Sequence, residues 1–237
     1  MKAVFTALTL FIAFSTASAK DKSIRVFVAL CDNKTQGIIP VSKKIGDGDV
    51  PDDNLYWGCS DGFGSYFKRS KKWKLVESKS GVSEAIMRRM ILKHIDGTTT
   101  LTADAYRGSE IHQCMKDFEK AAASGDYDLV AFIGHNGLMD APLVEQKPIK
   151  GKTTDAVVLC CLSEFHFAQR LRTINARPIL LTRQLMYPGA FILHDAIEVW
   201  KNDGALNDIR KAAGKAYAKN QKISVKAATG VFAKIEN

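Results

Sequence analysis

The sequence predicts an α/β fold, a three-layer α/β/α sandwich around a mostly parallel sheet. Two short apolar runs carry the prediction: residues 128–133 (Asp128-Leu129-Val130-Ala131-Phe132-Ile133) and residues 155–161 (Asp155-Ala156-Val157-Val158-Leu159-Cys160-Cys161). Runs this short, rich in β-branched and aromatic residues and bounded by Gly, Asp and Lys, are strands buried on both faces. A sheet buried on both faces is parallel and covered by helices. The chain length of 237 residues, with 46% hydrophobic and 25% charged residues, suits one large domain with a substantial core. No internal repeat or low-complexity linker divides it.

The elements follow in order. Met1-Lys2, an apolar run over 3–14 and Ala17-Ser18-Ala19 form a secretory signal over 1–19, so the domain spans 20–237 and the protein is secreted or periplasmic. The apolar run is too short to span a membrane, which takes roughly 20 residues, and no later stretch is long enough. Residues 24–30 are the first strand and 36–53 a long loop at its carboxyl end. Residues 54–67 read as a helix bent by Gly58, Gly62 and Gly64, and 73–78 as a short edge strand. Ile86, Met90, Ile91 and His94 recur at helical spacing, which predicts a helix over 82–95 with Ser83 as its N-cap. Residues 100–106 alternate as a strand, and Ser109 caps a helix over 110–123 closed by Ser124-Gly125. The two central strands follow, joined by an irregular segment over 138–154 rich in Pro and Gly. A helix over 163–174, a strand over 177–182 and helices over 190–200 and 205–219 complete the chain.

Charge and cysteine content narrow the function. The formal charge is +9, and its one dense cluster, 68–74, reads as a solvated loop. Export leaves nucleic acid out as a natural partner. The five cysteines, Cys31, Cys59, Cys114, Cys160 and Cys161, make an odd count, which outside the cytosol points to a free thiol. Cys31 and Cys59 are the expected pair; a Cys160–Cys161 bridge would close a strained ring. No CxxC spacing supports a metal site, and no G-x-S-x-G elbow, P-loop or dinucleotide fingerprint appears, so no cofactor is expected.

In open parallel sheets the chemistry gathers at the carboxyl ends of the strands. One central strand ends in Gly134-His135-Asn136-Gly137, the other in Cys160-Cys161. A His and a Cys on adjacent strand ends provide a thiol nucleophile and its base. Strand alternation points Cys160 to the opposite face from Cys161; if Cys160 faces the pocket instead, the two exchange roles. A helix starting at Ser163 places its N-terminal dipole near the sulfur and favours thiolate. Asp32, Asn136 and Ser163 are candidates to line the pocket, and Arg183 to meet an acidic substrate group.

The pattern of an apolar strand ending at Phe132-Ile133-Gly134-His135, then one ending at Val157-Val158-Leu159-Cys160-Cys161, resembles the caspase-like cysteine peptidases, the group of caspases, gingipains, legumain and separase. The resemblance covers 126–163 and implies a divergent, secreted, bacterial-type member acting on peptide or protein substrates. It implies His135 as base, Cys161 as nucleophile, Cys160 in a small-residue slot and a short hairpin or helix between the two strands. The family has Gly directly after its His, with an N–H that helps bind the oxyanion; this chain has Asn136 there and Gly137 next. Two other readings share these residues: a caspase-like exported binding protein without catalysis, and a Cys–His amidase or transferase. Oligomeric state is left open.

Overall fold

The computed structural model describes residues 21–144, 146–147 and 151–236; the expected signal over 1–19 lies outside them. The strands are β1 (Lys22–Ala29), β2 (Trp73–Ser80), β3 (Ile86–His94), β4 (Thr99–Tyr106), β5 (Leu129–Ile133), β6 (Thr154–Leu159) and β7 (Ala176–Leu180). The helices are α1 (Phe63–Arg69), α2 (Ile111–Ser124), α3 (Ser163–Thr173), α4 (Ala190–Trp200), α5 (Leu206–Gln221) and α6 (Val225–Gly230). All seven strands join one mixed sheet in the order β2-β3-β4-β1-β5-β6-β7. β4, β1, β5, β6 and β7 run parallel, and β2 and β3 add an antiparallel edge.

Strand alternation sorts the buried side chains into two cores. Ile24, Val26 and Val28 of β1, with Ala131, Ile133, Val157 and Leu159, pack against α1, α4 and α5. Phe27, Ala29, Val130, Phe132, Val158 and Cys160 pack against α2 and α3, where Phe118, Phe132 and Phe167 form a ring cluster. Helices therefore cover both faces, as runs buried on both sides require. α2 ends where Gly125 takes φ +72°, a conformation that suits glycine.

The sheet also holds a charged network. Asp104 on β4 is fully buried, accepts two hydrogen bonds of 2.7 Å from Arg89 on β3, and pairs with Arg25 on β1. Three strands are thereby tied together through one carboxylate.

Several expectations are corrected. Residues 82–95 hold strand β3, not a helix: Met90, Leu92 and His94 alternate inward while Lys93 points out. A bulge between Ile86 and Arg88 breaks strict alternation and leaves the apolar residues at a spacing that imitates a helix. Ser83 closes the β2–β3 turn instead of capping a helix, its Oγ accepting from the Ile86 N–H at 3.0 Å. Most of 54–62 is turn, and α1 starts only at Phe63. α2 is preceded by a 3-10 turn at Gly108–Glu110 and has no side-chain cap, so Ser109 does not serve as one. α6 was not read from the sequence. Cys31 and Cys59 are both free thiols, as are the other three cysteines.

Candidate active site

The β5–β6 register ends at the pair Ile133–Leu159, and the Gly134 N–H still donates to the Leu159 carbonyl at 3.2 Å. His135 and Cys161 each lie two residues beyond that pair. Cys160 turns into the core beneath α2 and α3, away from the face that Ile133 and Leu159 line. Gly134 is what lets the strand end lie so close to β1: a Cβ there would sit 3.1 Å from both the Ala29 Cβ and the Ala29 carbonyl oxygen.

His135 is buried, and its Nε2 lies 2.9 Å from Asp140 Oδ2. A carboxylate only accepts, so this contact places the ring proton on Nε2 and leaves Nδ1 to act as a base. Asp140 Oδ2 also accepts from the Gly37 N–H at 3.2 Å, which ties the loop after β1 to the loop after β5. Asn136 is fully buried. Its amide donates to the Cys161 carbonyl at 2.7 Å, and its Oδ1 accepts from the Leu138 N–H at 3.1 Å. The residue following His135 thus clamps the two strand ends together.

Cys161 is partly exposed. Its Sγ accepts from the Met186 N–H at 3.4 Å and donates to the Met186 carbonyl at 3.6 Å. The chain then reverses at Leu162, at φ +52°, and α3 begins at Ser163. Thr182 takes the first two N–H groups of α3: Ser163 N–H donates to its Oγ1 at 3.1 Å, and Glu164 N–H to its carbonyl at 2.9 Å. The first two N–H groups of the helix are thus taken by Thr182 and not by the sulfur. No hydrogen bond joins His135 to Cys161 among the described residues.

The remaining sequence candidates have other surroundings. Ser163 Oγ donates to the Val158 carbonyl and accepts from the Thr182 N–H, both at 2.8 Å, and so closes the β6–α3 turn. Asp32 accepts from the Lys34 N–H at 3.0 Å and the Thr35 hydroxyl at 2.6 Å, shaping the loop after β1. Gly137 packs on α2, where a Cβ would lie 2.9 Å from Met115 Sδ. Arg183 is exposed and pairs with Glu164 at 3.0 Å. Burial pushes the Cys160 thiol well above its ordinary range, with Cys161 adding to the effect. Burial does the same to Cys114, and raises Cys31 to about 12 with help from Asp32 and against a hydrogen bond from Tyr56.

Sequence reasoning missed Asp140 and Met186. Asp140 signals itself only as an acid five residues after His135. Met186 acts through its backbone, which no residue type announces.

A cavity of about 460 Å³ opens at the opposite pole, by the amino ends of β1, β5, β6 and β7. Its charges answer one another: Arg177 with Asp155 at 2.7 Å, Lys22 with Asp203 at 2.6 Å, and Lys152 with Asp128. That self-neutralised cleft has no Cys or His among its lining residues, whereas His135 and Cys161 lie at the other end. Among the described residues no cluster of three or more His, Cys, Asp and Glu side chains could hold a metal ion, and no helix is long and apolar enough to cross a membrane.

Fold and site together define a class: an α/β protein with a mixed, mostly parallel seven-strand sheet, carrying an imidazole and a thiol on adjacent strand ends. Comparison with protein-family models, curated proteins and solved structures gives no match.

Proposed function

We propose that this protein is an exported cysteine peptidase with a caspase-like arrangement of its strands, acting on peptide or protein substrates through Cys161 and His135. The observation that carries the reading is the Asn136 clamp, whose amide donates to the Cys161 carbonyl at 2.7 Å and holds the His135 and Cys161 strand ends together. In the proposed reaction the Cys161 thiol proton passes to His135 Nδ1 and the thiolate attacks the peptide carbonyl. His135 then gives that proton to the leaving amine as the C–N bond breaks. Water, deprotonated by His135, releases the acyl group and restores the thiol. Asp140 fixes the ring tautomer, and backbone N–H groups beside Gly137 and Cys161 receive the oxyanion. Catalytic contacts that are long without substrate tighten when it binds. The signal pattern over 1–19 supports action outside the cytosol.

A non-catalytic binding protein is the second reading. It is favoured by the existing pairing of Cys161 with the Met186 backbone and by the lack of a His135–Cys161 hydrogen bond among the described residues. Turnover of a mixed peptide library by the exported protein separates the two. Cys161→Ala should abolish cleavage, and His135→Ala should lower it by about 10²–10⁴-fold. Cleavage that survives Cys161→Ala, or no cleavage by the reduced wild type, would defeat the peptidase reading.

A further inference from the structure

Ser70, His194 and Asp195 form a hydrogen-bonded relay that the Cys161 site does not use. Ser70 Oγ lies 2.8 Å from His194 Nε2, and His194 Nδ1 lies 2.8 Å from Asp195 Oδ1. A carboxylate only accepts, so Nδ1 carries the ring proton and Nε2 accepts from the Ser70 hydroxyl. A further contact fixes the same sense: the Lys72 N–H donates to Ser70 Oγ at 3.1 Å, which leaves the hydroxyl proton to point at the ring. Donors and acceptors therefore run from serine through imidazole to carboxylate, in the order that activates a hydroxyl nucleophile. Ser70 and His194 lie 124 residues apart and no G-x-S-x-G elbow holds the serine; such a relay is recognised by geometry and not by sequence position.

The surroundings hold this geometry in place. Tyr66 and Phe67 each meet the imidazole edge to face, with 5.4 Å between ring centroids. The turn that carries Ser70, between α1 and β2, is tied to α4 a second time by Lys72 Nζ and Glu198 at 2.9 Å, one helical turn after His194. His194 is buried, whereas Ser70 is half-buried between the exposed Arg69 and Lys71. The Lys71 N–H, directly after the serine, makes no hydrogen bond among the described residues and is placed to receive an oxyanion.

Charge around Ser70 defines the substrate. Residues 68–74 contain Lys68, Arg69, Lys71, Lys72 and Lys74 and no acid. Lys72 is paired with Glu198, and Arg69 donates to the Ser60 carbonyl. Lys68, Lys71 and Lys74 are exposed and have no ion pair among the described residues. From this we infer that Ser70 is the nucleophile of a second reactive site, which cleaves small anionic esters, with His194 as its base and Asp195 as the residue that positions the ring. The Ser70 proton passes to His194 Nε2 as Oγ attacks the ester carbonyl. The C–O bond to the leaving group then breaks, and that oxygen takes the proton from His194. Water, deprotonated by His194, releases the acyl group as the acid and restores the serine.

The test uses the full chain carrying Cys161→Ala, so its outcome is independent of the peptidase reading. A fluorophosphonate, from which a serine oxygen displaces fluoride, should label Ser70, as located by mass spectrometry, and the label should vanish in Ser70→Ala. His194→Gln should slow labelling by about 10²–10⁴-fold. Asp195 is about half exposed, so Asp195→Asn keeps the fold; it should slow labelling about tenfold or more with an unchanged urea midpoint. Two aryl acetates, one neutral and one with a sulfonate on its ring, are compared after subtraction of their uncatalysed rates. The sulfonate ester should show about tenfold higher kcat/KM, and Lys71→Glu with Lys74→Glu, or high salt, should erase the difference. No labelling of Ser70, or labelling that His194→Gln and Asp195→Asn leave unchanged, would overturn the relay and leave the Ser70–His194 bond a structural one. Equal rates for the two esters, or a preference that survives the double Lys substitution, would overturn the assigned substrate class.

Discussion

Replacing Asn136 by Ala should destabilise the protein by about 2–4 kcal/mol. The side chain is fully buried and makes two hydrogen bonds, one to the Cys161 carbonyl at 2.7 Å and one from the Leu138 N–H at 3.1 Å. A buried polar group stripped of its partner costs about 1–3 kcal/mol. Two such groups would reach about 2–6 kcal/mol, and Cys161 is partly exposed, so water relieves part of its share. With a urea slope of about 2 kcal/mol/M, the unfolding midpoint should fall by about 1–2 M. Asn136→Asp keeps the acceptor for Leu138 but turns a carboxylate oxygen towards the Cys161 carbonyl, so it should be at least as damaging as Ala. Asn136→Gly should be worse than Ala by about 0.4–1 kcal/mol from added freedom of the unfolded chain. The assay is equilibrium urea unfolding followed by tryptophan fluorescence. An Ala variant within about 0.5 kcal/mol of wild type, or an Asp variant more stable than Ala, would refute the clamp.

Two further predictions concern the scaffold. Asp104→Ala leaves Arg25 and Arg89 without their shared carboxylate inside the sheet and should cost about 3–5 kcal/mol in the same assay; a loss under about 1 kcal/mol would contradict that network. Burial alone would raise Asp96 and Asp128, but hydrogen bonds from Lys201, Thr98 and His94 to Asp96, and from Lys152 and Ser23 to Asp128, hold both below the usual carboxylate range. A depressed folded value stabilises fully above the unfolded carboxyl value, near about pH 4, and that contribution is lost as pH falls through the folded values. Stability should therefore decline below about pH 4, and Asp96→Asn with Asp128→Asn should decline less steeply from a lower plateau. An unchanged acid limb in the double variant would place the acid sensitivity elsewhere.

The parts of the fold that the sequence made legible are those with one dominant signal. β1, β5 and β6 are short and apolar on both faces, so burial alone identifies them. The span predicted for α4, 190–200, matches the structure, because Pro188-Gly189 marks its start and Asn202-Asp203-Gly204 its end. β3 was misread because its bulge and its place near the sheet edge leave apolar residues on both faces, and the antiparallel pairing that decides the matter is non-local. For the candidate site, the adjacency of the two parallel strands followed from the runs themselves. What was not legible depends on backbone and loops: the Met186 contact with the sulfur, the use of the α3 N–H groups by Thr182, and the return of Asp140 onto His135. Asn136 was read as a departure from a Gly pattern, and its role as a clamp appears only when the Cys161 carbonyl is placed beside it.

The central claim is an activated thiol at Cys161, and its alkylation rate tests that claim most directly. The reduced protein is treated with iodoacetamide over a pH series, and each cysteine is followed by mass spectrometry. Cys161 has a backbone N–H directed at its sulfur and a helix start close by, whereas Cys31, Cys114 and Cys160 are buried, and Cys59 is pushed up by burial and by Asp53 and Asp61. Cys161 should therefore label at neutral pH about tenfold faster than Cys59. The fast phase should vanish in Cys161→Ala, persist in Cys160→Ala and slow only in part in His135→Ala. Fast labelling of Cys160, or labelling of Cys161 no faster than Cys59, would contradict the account.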